Sequence, residues 1–285
     1  MSAALALALA GMLCVGVSDL VYKQGASAGV PARQFLMVQT WFFTSAVLLY
    51  GLVTRTLMAR PAALWGAVGA VFAFTGFYNF ARSLHSGLVS VCAPLFRLSF
   101  VGTAFLAILL LGEPFTWRKG LGIASALVAV WLLLGAAARV APTAGRVRRA
   151  SLARVSIATA AVAVANLVYK VGLRAGATAA SLLVTQACVA TGLALGLVLV
   201  TEGEVRVPPA TWRYSGGAGV VLATAFVCMM EALARGQASV VVPITQMGFV
   251  VTALLGMLLL KEPFTPRKGL GLAAALAAIL FLAGP

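Results

Sequence analysis

Among 285 residues of which few are charged, Arg97 stands where a charge is hardest to keep. It lies about nine residues into an apolar run that begins near residue 88, roughly 14 Å along a helix and close to the middle of a bilayer if that run crosses one. Burying a guanidinium at that depth costs at least ~2.5 kcal/mol on insertion scales, so a carboxylate partner or a wet cavity must offset it. A guanidinium is also a planar fork that matches a carboxylate with two charge-assisted hydrogen bonds. Its chemistry here would be the binding of an acidic or acceptor-rich solute.

A second set of polar residues shares one helical face. Thr75, Asn79, Arg82 and Ser86 follow one another at spacings of four, three and four, with Tyr78 beside them. Such a stripe faces a water-filled cavity or another helix, and hydrogen bonding between helices accounts for Thr75 and Asn79 as well as solute binding does. A matching stripe, Thr224, Cys228, Glu231 and Arg235, holds a carboxylate with a basic partner four residues on. Glu231 is thus either one half of a structural ion pair or a gating or proton-coupling group, and a direct Arg82–Glu231 pair is not expected. Asp19 poses the same choice, with Lys23 four residues away as its local partner. Tyr22, beside that pair, and Trp41, deep in the next apolar run, complete the expected solute-binding set with Arg97, Arg82, Tyr78, Asn79 and Gln246.

Two prolines mark where helices should be interrupted. Pro94 precedes Arg97 by three residues and Pro243 precedes Gln246 by three, and each proline leaves a carbonyl one turn back, at Ser90 and Ser239, without its helical partner. Paired interruptions at matched positions point to a binding site, although a simple kink near the start of each helix remains open.

The elements that hold these residues come as two copies of one unit. Asp19-Leu-Val-Tyr-Lys-Gln-Gly25 returns as Asn166-Leu-Val-Tyr-Lys-Val-Gly172, and Gly112-Glu-Pro-Phe-Thr-Trp-Arg-Lys-Gly-Leu-Gly122 returns as Lys261-Glu-Pro-Phe-Thr-Pro-Arg-Lys-Gly-Leu-Gly271. With 62% hydrophobic residues, 9% charged and a mean hydropathy of +1.05, the chain offers long stretches no polar face for water. It reads as an all-α integral membrane protein, because helices satisfy their own backbone within lipid. The net charge of +15 falls mostly between apolar segments, as in residues 139 to 154, which fits membrane-flanking anchors better than nucleic acid.

Ten apolar segments are expected, near residues 3–24, 34–54, 62–85, 88–111, 118–137, 152–171, 179–200, 211–234, 237–260 and 267–284. Residues 1–137 form one five-helix repeat, residues 138–151 a basic linker and residues 152–285 the second repeat. Five is odd, so the second copy enters the membrane from the other side and the repeats are inverted. The first apolar stretch reads as a membrane helix rather than a leader, since no Lys or Arg precedes it and its copy lies mid-chain. Counting Lys and Arg in the loops places the amino terminus outside under the positive-inside rule.

Several residues carry plainer meanings. The cysteines Cys14, Cys92, Cys188 and Cys228 sit inside apolar runs at no metal-like spacing. His85 is expected at an interface, Trp65, Trp117, Trp131 and Trp212 as interfacial anchors, and Glu113 and Glu262 as charges at helix starts beside a first-turn proline. No phosphate-binding Gly-rich loop occurs, so ATP bound to this chain is not expected to drive transport, and neither a metal nor another cofactor is expected.

Ten segments in two halves, the paired Tyr-Lys segments and the paired Glu-Pro-Phe-Thr turns together resemble the drug/metabolite transporter superfamily, most closely its ten-helix metabolite exporters of the EamA type. The resemblance covers the whole chain. It implies alternating access around a midplane site built from the first, third, fourth, sixth, eighth and ninth helices, and an amino terminus in the cytoplasm, against the charge count. The small multidrug resistance relatives carry a glutamate eight residues before the lysine, where this chain has Val15 and Val162. Asp19 could replace that group in proton coupling.

The expected function is therefore secondary transport of a small polar, carboxylate-bearing metabolite across the cell membrane, with the bilayer and the solute as partners and no nucleic acid. A membrane-embedded lipid-modifying enzyme using Arg82, Arg97 and Glu231 is the alternative. It is disfavoured because no nucleophile–base pair stands at helical spacing.

Overall fold

Side chains that are apolar along whole segments leave the backbone no solvent but itself, and helix is the consequence throughout. The computed structural model describes residues 2–86, 92, 95–134, 145–205, 207–259 and 264–284. Its helices are α1 (Ala3–Ser27), α2 (Ala32–Val53), α3 (Trp65–Ser86, after a 3-10 turn at Pro61–Leu64), α4 (Ser99–Leu111), α5 (Trp117–Leu134), α6 (Gly145–Arg174), α7 (Ala179–Glu202), α8 (Pro209–Arg235), α9 (Ala238–Gln246), α10 (Gly248–Leu259) and α11 (Pro266–Ala283). No strand occurs among the described residues.

Among the described residues eight stretches are long and apolar enough to cross a membrane, counting Ala238–Leu259 as one, and Leu95–Leu111 is a shorter apolar helix. Helix α6 begins at Gly145, seven residues before the start expected from hydropathy. Its first turns hold Arg148 and Arg149, whose charges hide them from an apolar count.

Helix breaks fall near the two places where prolines lead the sequence reading to expect them. Helix runs through Pro243 to Gln246 and breaks at Met247, whose N–H bonds the carbonyl of Ile244 at 3.1 Å, a tighter turn than the α-helix makes. The same break falls at Leu98, whose N–H bonds Leu95 at 3.1 Å. Pro94 itself lies outside the described residues, as do Ser90, Glu262, the side chains of Lys23, His85 and Ser86, and residues 138–144 of the expected linker.

The two halves pack by one rule applied twice. Helix α1 lies on α8 as α6 lies on α3, and α2 contacts α8 as α7 contacts α3. Helix α1 also meets α9 and α10, as α6 meets α4, while α2 pairs with its own copy α7 and α5 with its copy α11. Exchanging the halves returns every one of these contacts, which is what a two-fold axis between repeats produces.

The repeated Gly-Leu-Gly segment shows why that motif recurs. A Cβ added to Gly122 would come within 2.6 Å of Leu282 Cγ, and one added to Gly271 within 2.7 Å of Leu133 Cγ, the equivalent contact in the other direction. Glycine at both places lets α5 and α11 approach closely, as packing between helices in lipid requires. Leu109, Leu110, Trp117, Trp131, Leu258 and Leu280 turn outward and are exposed, forming the lipid-facing rim.

Candidate functional site

Arg97 ends the short helical segment before the break at Leu98, and Gln246 ends α9 before the break at Met247, so both side chains stand where the backbone gives way. Arg97 Nη2 pairs with Asp19 Oδ2 of α1 at 2.5 Å, and Nη1 donates to Gln246 Oε1 at 3.4 Å. Thr252 Oγ1 of α10 lies 3.4 Å from the same aspartate oxygen and donates to Gly16 O at 3.1 Å. The centre thus joins α1, the short segment before α4, α9 and α10, drawing on both halves. Its groups remain reachable, with 17% of the Arg97 side chain and 30% of the Asp19 side chain exposed.

Asp19 has a partner that local spacing does not name. The sequence reading pairs it with Lys23, whose side chain lies outside the described residues; the carboxylate meets Arg97, 78 residues away. Local spacing could not reveal this, because the contact exists only once α1 crosses the segment bearing Arg97. In the second half Asn166 donates to Thr103 Oγ1 at 3.3 Å, and Lys170 donates to the carbonyls of Leu233 and Gly236 at the end of α8, at 2.5 and 2.6 Å. Lys170 therefore closes a helix end and does not stand as a free charge.

The two polar stripes do not meet. Glu231 pairs with Arg235 one turn on and accepts a hydrogen bond from Tyr50 of α2 at 2.7 Å. Arg82 is exposed and lies over the Tyr78 ring, 5.5 Å from its centroid. Asn79 donates to Thr75 O at 2.9 Å within its own helix. Trp41 packs beside Trp212, with ring centroids 5.7 Å apart, rather than at the charged centre.

One cavity of about 100 Å³ lies between α1, α2, α3, α7 and α8, with Tyr22 and Tyr78 from the sequence-derived set in its wall. Helices two and seven, absent from the arrangement the resemblance implied, contribute much of that wall. Gln39 on α2 and Gln186 on α7, buried with 3% and 5% exposure, also line it, and Tyr22 donates to Gln39 Oε1. Gln39 Nε2 and Gln186 Oε1 have no hydrogen-bond partner. Leaving such a buried group unpaired costs about 1–3 kcal/mol each. Sequence reasoning missed both glutamines, although a signal existed: Gln39 and Thr44 recur 147 residues later as Gln186 and Thr191.

Glu113 is a further correction. Helix α5 starts at Trp117, beyond the Glu113-Pro114 pair, so neither residue serves its first turn; Thr116 Oγ1 accepts from Lys119 N there instead, at 3.4 Å. The Glu113 carboxylate, 1% exposed as a side chain, reaches across to the start of α9. It accepts from the backbone of Ala238 at 2.7 Å and Ser239 at 2.9 Å, and from Ser239 Oγ at 2.6 Å. Lys119 Nζ donates to Pro114 O at 2.6 Å and Ser239 Oγ at 3.0 Å, and also bonds Gln237. A carboxylate on free N–H groups at a helix start is a favourable match of charge and dipole. The cluster ties the turn before α5 to the start of α9.

An all-helical chain of two packed repeats, with lipid-facing flanks and a charged centre shared by both halves, is the architecture of a membrane transporter. The chain belongs to the EamA-like transporter family, which it matches over residues 2–135 and again over residues 151–284. No curated protein matches. A solved crystal structure with 15% identity superposes with a TM-score of 0.84 over 99% of this chain and 98% of that one, a likeness of fold alone. The protein is thus a multi-pass membrane transporter of the drug/metabolite transporter superfamily, and its partners are a small-molecule solute and the lipid bilayer.

Proposed function

We propose that the protein is a secondary transporter that exports a small polar, carboxylate-bearing metabolite, amino-acid-like in its charges, across the cytoplasmic membrane. Ten spans in two inverted five-helix halves, residues 1–137 and 152–285 joined by the basic stretch 138–151, rock about a solute held between them. One observation carries the reading: Arg97 stands at a helix break, bonded to Asp19 of its own half and Gln246 of the other.

A solute carboxylate takes the place of Asp19 on the guanidinium. The displaced aspartate then binds the solute's ammonium or a proton, which couples release to the proton gradient. Charge balance supports this exchange, because no partner is left bare at either stage. The Glu113 cluster supports it too, since a carboxylate that ties the turn before α5 to the start of α9 must let go before that end can open. Arg82, Asn79 and Tyr78 contribute along the wall of α3, and Pro243 shapes the helix that presents Gln246.

Flux of radiolabelled amino acids in proteoliposomes, with and without an imposed pH gradient, tests the reading. Carboxylate-bearing solutes should accumulate along the gradient and their amides should not. Turnover of a lipid in detergent with no solute flux would instead establish the enzymatic alternative.

A further inference from the structure

Gln39 and Gln186, each with one unpaired buried amide atom, line one cavity and occupy equivalent positions in the two halves, 147 residues apart. Five residues on, the equivalent pair Thr44 and Thr191 hydrogen-bond to each other at 2.9 Å. Contact between two copies of one position places the axis relating the halves beside this cavity. A site on that axis belongs to both halves alike, so a rocking motion can show it to either side without moving it.

The wall defines what fits. Phe43, Phe74, Phe77, Tyr78 and Phe226 line the same cavity as the two glutamines. Arg33 is the one charged residue among the described lining, and Glu202 holds it at 3.4 Å. Tyr22 occupies Gln39 Oε1, so the Gln39 amide nitrogen is the unpaired donor, and Gln186 Oε1 is the unpaired acceptor. A neutral amide complements that pair in both directions, whereas a carboxylate or ammonium supplies one and desolvates its charge for nothing.

We propose that this cavity binds the uncharged body of the transported solute and selects an apolar group that carries a neutral amide. The assignment rests on the transporter reading for its link to Arg97: Tyr22 lies three residues after Asp19 on α1, which puts the cavity one helical turn from the charged centre.

Benzamide, a ring with a neutral amide and no charge, is the probe. Its affinity for purified protein, read by isothermal calorimetry, should fall about threefold to tenfold in Gln39→Leu and again in Gln186→Leu, as expected for one lost hydrogen bond each. Benzoate and benzylamine should bind at least tenfold more weakly than benzamide. Equal benzamide affinity in wild type and both glutamine variants, or no benzamide binding at all, would overturn the proposal and leave the amides satisfied by water. Should the variants not fold, a diazirine derivative of benzamide on the wild-type protein decides: labels within residues 33–43 and 186–197 support the site, and labels confined elsewhere overturn it. Binding that persists while no solute crosses proteoliposomes would remove the transport reading and keep the site. Transport with unaltered selectivity in the double variant would do the reverse.

Discussion

Arg97 and Gln246 hold equivalent positions in the two halves and touch each other, Nη1 to Oε1 at 3.4 Å, each at the last residue before its helix breaks. The asymmetry between them is one charge, and Asp19 balances it. Arg97→Gln would make the halves alike and leave the aspartate without its partner. Transport of a carboxylate solute should fall at least a hundredfold in Arg97→Gln, and Asp19→Asn with Arg97→Gln should regain folding stability but not flux. Arg97→Lys should weaken binding about tenfold, because an ammonium lacks the planar fork. These outcomes are read from melting temperatures together with proteoliposome uptake. Normal transport by Arg97→Gln would make the pair purely structural.

Glu231 has two partners, Arg235 and the Tyr50 hydroxyl, and both lie at hand without any solute. If its role is that pairing, Glu231→Gln with Arg235→Gln should recover most of the stability and activity lost in Glu231→Gln alone, and Tyr50→Phe should cost about 1 kcal/mol or less. If it carries protons, Glu231→Gln should abolish pH-driven flux with binding intact, and the double variant should not rescue it. Denaturation and uptake measured on the same four proteins separate these cases.

Thr116 and Thr265 occupy the same place in the two copies of the Glu-Pro-Phe-Thr turn, and the proposed inversion of the repeats requires them to lie on opposite faces of the membrane. A membrane-impermeant thiol reagent should label Thr116→Cys from one side of right-side-out vesicles and Thr265→Cys from the other, in a background cleared of the native cysteines. Labelling of both from one side would end the inverted arrangement.

Buried Glu113 anchors three donors at the start of α9, and no neighbouring acceptor replaces it. Glu113→Ala should destabilise the protein by about 3 kcal/mol, in the range for stripping one member from a buried charged network. Glu113→Gln, which keeps an acceptor, should lose less stability. Because the same contacts hold Ser239 at the buried start of α9, Glu113→Gln should also raise thiol labelling of Ser239→Cys, measured as a rate in each variant.

Membrane residence, helical content, the division into two copies and the family were legible in the sequence, since each is a local or periodic property. Hydropathy reports what a segment can be dissolved in, and a motif stated twice reports duplication whether or not the copies touch. Pairing within one helix was legible for the same reason: Glu231 and Arg235, four residues apart, share a face in any helix. The tertiary structure alone decided which groups meet across helices. It joined Asp19 to Arg97, sent Glu113 to cap α9, and brought Gln39 and Gln186 to one cavity, because those contacts depend on where helix axes cross and which way each helix is rotated. Apolar residues on every side of a helix erase the polar face that would announce that rotation in a soluble protein, so in this chain close packing, as of Gly122 against Leu282 and Gly271 against Leu133, had to set it.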